Sequence, residues 1–350
     1  MVEAYLFIIL LAVLIGPFIF RRIEHNLEIF LFAMGLFSIV VSREYIFTEL
    51  TPAGLLKETL LEPLKIAVTV LLAGLLFKYS RAYIRKGLSG LLGLVSLKVF
   101  IFLMIVLLGL ISSLITAIIA SLVLVEIISV LKLDRRYEVN MTVLACFSIG
   151  FGAALTPVGE PLSTILIAKL RAAPHSAGFF YIIHLAGWYI VAGVILFGLI
   201  GLFYRGHRSA VTLSAEEQDE ALSGVFFRAG RVYIFVMALI LLGTGFRPVI
   251  DRYVASLDSR YLFWINSVSA ILDNATLTAA EITPGMTNLQ VLGTLMGLLI
   301  AGGMLIPGNI PNIISAGRLK ITSREWARSG VPLGLAVMVL YFIIIYFLFK

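Results

Sequence analysis

The chain has 350 residues, of which 60% are apolar and 13% charged, and its formal net charge is +7. Its mean hydropathy of +1.05 excludes an ordinary soluble globular domain. The basic residues sit at the ends of apolar runs, which makes them topology markers rather than a nucleic-acid surface. The single cysteine, Cys146, excludes an internal disulfide and any Cys-based metal cluster.

A hydrocarbon core of about 30 Å takes roughly 20 apolar residues per helix. In chain order such spans are predicted at Ala4 to Phe20, Leu27 to Val41, Leu64 to Phe77, Val143 to Ala168, Phe179 to Phe203, Val232 to Phe246, Leu289 to Ser315 and Val331 to Phe349. Runs such as Phe100 to Leu110 are apolar on every face, so the spans are helices and not barrel strands. The first segment is too long for a signal-peptide core and is expected to stay as a span.

Two apolar regions remain, Leu88 to Leu131 and Tyr261 to Ile282. Lys78, Arg81, Arg85 and Lys86 precede the first region, and Lys132, Arg135 and Arg136 follow it, so both of its ends are expected in the cytoplasm. A segment with both ends on one side is a hairpin. The same alternation makes the second region a hairpin that enters from outside. It puts Arg21, Arg22, the 205–231 linker and Arg318, Lys320, Arg324 and Arg328 in the cytoplasm, with 17 of the 27 Lys/Arg inside, nine outside and Lys98 within the first hairpin region. The stretch 78–97 mixes basic and apolar residues and is expected to include an interfacial helix.

The two halves of the chain resemble each other. Ser112-Ser113-Leu114-Ile115-Thr116 leads to Gly152-Ala153-Ala154-Leu155-Thr156-Pro157-Val158-Gly159-Glu160-Pro161. Ser269 to Thr276, containing Asp273 and Asn274, leads to Gly302 through Pro307, Gly308 and Asn309 to Pro311 and Asn312. Gly152/Gly302, Leu155/Leu305, Pro157/Pro307 and Pro161/Pro311 each differ by 150. With opposed hairpins this is an inverted-topology repeat, the usual plan of a secondary transporter. The expected architecture is an all-α polytopic membrane protein. Its parts are N-terminal spans at 1–77, a first repeat at 78–204, a cytoplasmic linker at 205–231 and a second repeat at 232–350.

Paired prolines in an apolar run remove backbone donors and clash with preceding carbonyls, so a regular helix stops there. Pro157, Pro161, Pro307 and Pro311, with Gly159 and Gly308, mark two such breaks. Freed carbonyls in a membrane are tolerated where they line an enclosed polar cavity, and there they can coordinate an ion. Glu160 lies in the first break, and Asp273 with Asn274 is placed at the tip of the second hairpin. A carboxylate near mid-membrane costs on the order of 3 kcal/mol on insertion scales and is a functional-site candidate by default. Both acids are candidates for proton coupling as well as for holding a cation.

Capping of the hairpin turn is the alternative for Asp273-Asn274, and pairing with Lys98 or Lys169 the alternative for Glu160. Thr156, Ser163, Thr164, Thr276, Thr278, Asn309 and Asn312 add neutral oxygens, the donor type that hard cations prefer. Ser112, Ser113 and Thr116 form the tip of the first hairpin and carry no acid. Glu126 and Glu281 are weaker candidates, with a structural role favoured. Enzyme signatures such as HExxH, a Walker loop or a Cys/His cluster are missing, and no organic cofactor is expected.

At these motifs the sequence resembles the ion transporter superfamily, in particular the NhaD-type sodium/proton antiporters and a related family of predicted cation transporters. Gly152 to Thr164 looks like the first unwound-helix motif of that group, Ser269 to Ala280 like its second hairpin, and Gly302 to Asn312 like its second unwound helix. The resemblance implies a dimeric scaffold and an elevator-type transport domain in the cytoplasmic membrane. The transported species would be sodium and protons, bound at Glu160, Asp273, Asn274, Thr156, Thr276, Asn309 and Asn312. The antiporters typically carry an Asp-Asn in the first hairpin too, where this chain has Ser112-Ser113. A sodium- or proton-coupled carrier of a dicarboxylate or an arsenite-like oxyanion is the alternative within the superfamily.

Overall fold

A computed structural model describes the chain except residues 1, 21, 24–25, 49, 62, 65–66, 69–70, 73–74, 76–94, 172, 205–221, 250–251, 254–256, 268–273 and 349–350. Among the described residues every regular element is helical. The expected interfacial helix therefore lies mostly outside the described residues, as do most of the linker and much of the Leu64 to Phe77 span. A helical stretch at 52–61 was not expected from the sequence.

The chain opens with α1 (Val2–Ile19) and α2 (Leu27–Ile46). Then come α3 (Leu97–Ile115), α4 (Ala117–Leu131), α5 (Arg135–Ala153), α6 (Pro161–Lys169) and α7 (Tyr181–Phe203). The second half holds α8 (Leu222–Gly245), α9 (Ser259–Ile265), α10 (Asn274–Glu281), α11 (Asn288–Gly302), α12 (Ile310–Leu319) and α13 (Ser323–Ile343), the last continued by a π-helical turn, Ile344–Leu348. Among the described residues four helices are long and apolar enough to cross a membrane: α2, α3, α7 and α13 with its π turn. Their outward faces keep large apolar side chains exposed, among them Leu114, Trp188 and Phe203. That much bare apolar surface is stable only against lipid or another protein.

Local chemistry sets the boundaries. Ser96, Thr116 and Asp134 accept a backbone N–H in the first turn of α3, α4 and α5. Thr287 and Thr322 form capping boxes with Gln290 and Glu325 at the starts of α11 and α13. Lys132 and Lys320 end α4 and α12 in the left-handed conformation.

Packing between helices relies on small residues and on hydroxyls that reach across to backbone carbonyls. Without a hydrophobic drive in lipid, close backbone approach and such hydrogen bonds hold helices together. Ser38 Oγ lies 3.4 Å from Leu241 O, and Ser42 Oγ donates to Gly245 O at 2.7 Å. Arg231 pairs with Glu28 at 2.6 Å. The partners keep one register along α2 and α8, so the two helices run parallel and their N-terminal ends share one end of the bundle. Between α3 and α5, Ser148 Oγ donates to Ile105 O at 2.8 Å and Ser112 Oγ to Ile149 O at 3.0 Å. At Gly152 a Cβ would run into the carbonyl of Gly109, so only glycine allows this approach.

At the end of the bundle where α5 and α13 begin, Arg135 bonds Glu325 at 2.7 Å and donates to Leu319 O and Lys320 O at 2.9 and 2.7 Å. At the opposite end, His175 Nε2 lies 2.8 Å from Met286 O and its ring meets Tyr181 and Asn288.

Candidate functional site

Helix α5 stops at Ala153 and the next helix, α6, starts at Pro161; α11 stops at Gly302 and α12 starts at Ile310. Pro161 is the first residue of α6 and Pro311 the second of α12. Neither clashes there, because a first-turn proline lacks only an N–H that would have no helical partner. Pro307 sits in a 3-10 turn, Ile306–Gly308. The prolines therefore start the second half-helices as much as they end the first.

Glu160 and Asn309 each occupy the residue before the second half-helix. Both are fully extended, with φ/ψ of −155°/158° and −154°/148°, and neither caps the helix with its own side chain. Glu160 is buried, 8% exposed. Lys98 lies exposed at the start of α3, far from the break along that helix.

The first hairpin tip is Thr116, a β-branched residue held at φ 75°, a conformation that only glycine adopts freely. Ser112 and Ser113 lie in the last turn of α3, with their hydroxyls donated to Gly109 O at 2.6 Å and Leu110 O at 2.8 Å. The tip is fastened to the first break. Ala117 N donates to Gly159 O at 3.0 Å, and Thr156 Oγ1 donates to Ser113 O at 2.5 Å while accepting from Val158 N. Ser163 Oγ donates to Ala154 O and Thr164 Oγ1 to Pro157 O. The Ser163 and Thr164 hydroxyls answer carbonyls that the break frees, and Thr156 answers one at the end of α3.

The second break is organised by Asn312, which is fully buried and whose Nδ2 donates to Gly302 O at 2.8 Å and Leu305 O at 2.9 Å. Asn274, the first residue of α10, places its amide against Gly302, and the carbonyl of Gly308 faces the same point. Both amide atoms of Asn274 and the Oδ1 of Asn312 are buried without a hydrogen-bond partner. Thr278 donates to Asn274 O at 2.8 Å. The Asn309 amide lies against Gly150 of α5, and Gly303 packs on the ring of Phe147, so the two broken helices cross near their breaks. Asp273 and the side chain of Thr276 lie outside the described residues.

The structure thus brings together Asn274, Asn312 and Gly308 around Gly302, and Thr156, Glu160 and Thr116 around the first break. Asn309 reaches across between the two broken helices. The sequence reading did not foresee the contributions of Gly150 and Gly302, whose missing side chains leave room for the Asn309 and Asn274 amides. No group of three His, Cys, Asp or Glu able to hold a metal occurs among the described residues.

Among the described residues, the helical architecture, four span-length apolar helices and two broken helices with buried polar side chains at the breaks define a membrane protein of the helical type. It belongs to the family described as protein of unknown function (DUF1646), whose model matches residues 3–348. No curated protein matches the chain.

Proposed function

We propose that this protein is a secondary active transporter that exchanges a monovalent cation, sodium first among them, for protons across the cytoplasmic membrane. The observation that carries the reading is the convergence of Asn274 and Asn312 on Gly302, with buried amide oxygens that no described donor satisfies. Unsatisfied oxygens in a water-poor interior favour a positively charged occupant. Glu160 and Asp273 would supply the negative charge, binding the cation when deprotonated and a proton otherwise. Competition for one site then enforces exchange. Thr156, Thr276 and Asn309 would complete the shell.

An inverted-topology repeat is part of the proposal, and the packing is in keeping with it. In the first half α3 packs on α5 and α5 on α7; in the second, α9 packs on α11 and α11 on α13. Across the halves α4 packs on α12, and α6 on α10. Each half-helix beyond a break therefore lies against the other half's hairpin, which matches a symmetric transport core with both breaks at mid-depth. We assign the end carrying Lys132, Arg135, Arg318 and Lys320 to the cytoplasm. A homodimer moving its core as an elevator completes the reading, on the resemblance to the ion transporter superfamily.

The test uses purified protein in liposomes with a trapped pH dye and an acidic interior. Added sodium, lithium or potassium should alkalinise the lumen, and Asp273→Asn should abolish this while the protein stays folded. Full activity in that variant would sink the assignment. No cation-driven proton movement from about pH 6 to 9 would shift the reading to an anion carrier, tested next with labelled dicarboxylate.

A further inference from the structure

Each hairpin carries one buried glutamate on its returning arm: Glu126 on α4 and Glu281 on α10. Their surroundings differ. Glu126 faces Arg318 of α12, with Oε2 and Nη2 3.7 Å apart. Glu281 is 0% exposed, and the one group that reaches its carboxylate among the described residues is the neutral amide of Asn266. Beside it lies Asn266, at the end of α9 and 1% exposed. Asn266 turns its Nδ2 toward Thr294 O at 3.5 Å, which leaves its Oδ1 unbonded. Thr294, on α11 and 0% exposed, likewise has an unbonded Oγ1.

We infer that Glu281, Asn266 and Thr294 form a second, separate site for a monovalent cation, enclosed between α9, α10 and α11. The chemistry is that of the atoms left over. Two carboxylate oxygens, an amide oxygen and a hydroxyl oxygen are present, against only the two N–H bonds of the Asn266 amide, one turned to Thr294 O and the other toward the carboxylate, so acceptors outnumber donors. Burying such acceptors unanswered is unfavourable, most of all for a charged group. A cation answers several of them at once. With one carboxylate, a monovalent ion leaves the buried site neutral, whereas a divalent ion would leave an excess positive charge. In the first hairpin Arg318 supplies that charge from within the chain; in the second it has to come from solution. This site does not depend on the exchange reading, because none of its three residues belongs to the Asn274–Asn312 cluster.

Equilibrium binding of radiolabelled sodium to the purified, detergent-solubilised protein tests the inference, with competition by lithium and potassium. The wild type is expected to bind one ion more per chain than Glu281→Gln, while Glu160→Gln retains the Glu281 ion. Thr294→Val and Asn266→Leu should weaken the same ion by tenfold or more, which keeps the test decisive if Glu281→Gln does not fold. Unchanged stoichiometry and affinity in the folded Glu281 and Thr294 variants would overturn the inference and leave Glu281 as a protonated acid. A wild type with a single ion, lost with Glu160→Gln and kept in Glu281→Gln, would overturn it while leaving the exchange site standing. A single ion lost only with Glu281→Gln would support it and count against the exchange site.

Discussion

Glu160 and Asn309 hold the same backbone conformation at the same place in two broken helices, each extended and one step ahead of a half-helix whose first turn contains a proline. One carries a carboxylate and the other an amide on a side chain one methylene shorter. Glu160→Gln makes the pair chemically alike. It is expected to leave a folded protein, with a melting midpoint in detergent within a few degrees of wild type, and to eliminate cation-driven proton movement in liposomes. Retained exchange would remove Glu160 from the coupling site.

Gly159 supplies the carbonyl that receives the Ala117 N–H at the hairpin tip, and a Cβ there would strike the carbonyl of Ala153. Gly159→Ala should therefore cost about 1–3 kcal/mol through backbone displacement and lower the melting midpoint by several degrees. Gly178→Ala, where a Cβ meets nothing within 4 Å, should leave the midpoint unchanged and serves as the control.

Thr116 is held at φ 75°, a strain of order 1–3 kcal/mol for a β-branched residue. Its hydroxyl also accepts from Ile119 N at 3.4 Å, a cap worth about 1 kcal/mol at most at that length. Thr116→Gly loses the cap and relieves the strain, so it should melt at or above the wild type. Thr116→Val keeps the strain without the cap and should melt lower. The opposite order, read by fluorescence melting, would mean that the tip is not held in this conformation.

Asn312 ties the carbonyls of Gly302 and Leu305 together across the second break. Asn312→Leu fills the space but leaves both carbonyls without their donor, at about 1–3 kcal/mol each. The expected result is a clear drop in melting midpoint together with loss of transport. An unchanged midpoint would show that the break does not need this clamp.

Arg135 bridges Glu325, Glu138 and the last carbonyls of α12. The guanidinium and Glu325 are both partly exposed, so the ion pair itself should contribute no more than about 1 kcal/mol. A lysine cannot reach so many acceptors at fixed angles. Arg135→Lys is thus expected to lose most of the stability lost in Arg135→Ala. The gap between wild type and Arg135→Ala should narrow as salt rises from about 0.05 to 0.5 M, because the pair is screened.

Much of the fold was legible because membrane helices write themselves in long apolar runs and breaks write themselves in proline. Pro157, Pro161, Pro307 and Pro311 stand at or near both interruptions, and the 150-residue offset between the halves places the second break once the first is known. The helix at 52–61 was missed because its charges, Lys57 and Glu58 among them, interrupt the apolar run that marks a span. Glu281 is a lone glutamate near a helix end, which gives no sign in sequence of whether a partner waits across the fold.

Composition and periodicity by themselves determined that this protein is helical and membrane-embedded, since the cost of exposing backbone to hydrocarbon leaves few other ways to arrange so many apolar residues. They also located the two breaks, because proline acts on its own neighbours. Only the tertiary structure decided which polar atoms meet. Gly302 faces Asn274 from a helix 28 residues away, and Arg318 reaches Glu126 while Glu281 meets the neutral amide of Asn266. Pairing of buried charges depends on distances between helices that no local pattern encodes, and at a few ångströms in low dielectric those distances decide whether a carboxylate is already answered or still needs an ion.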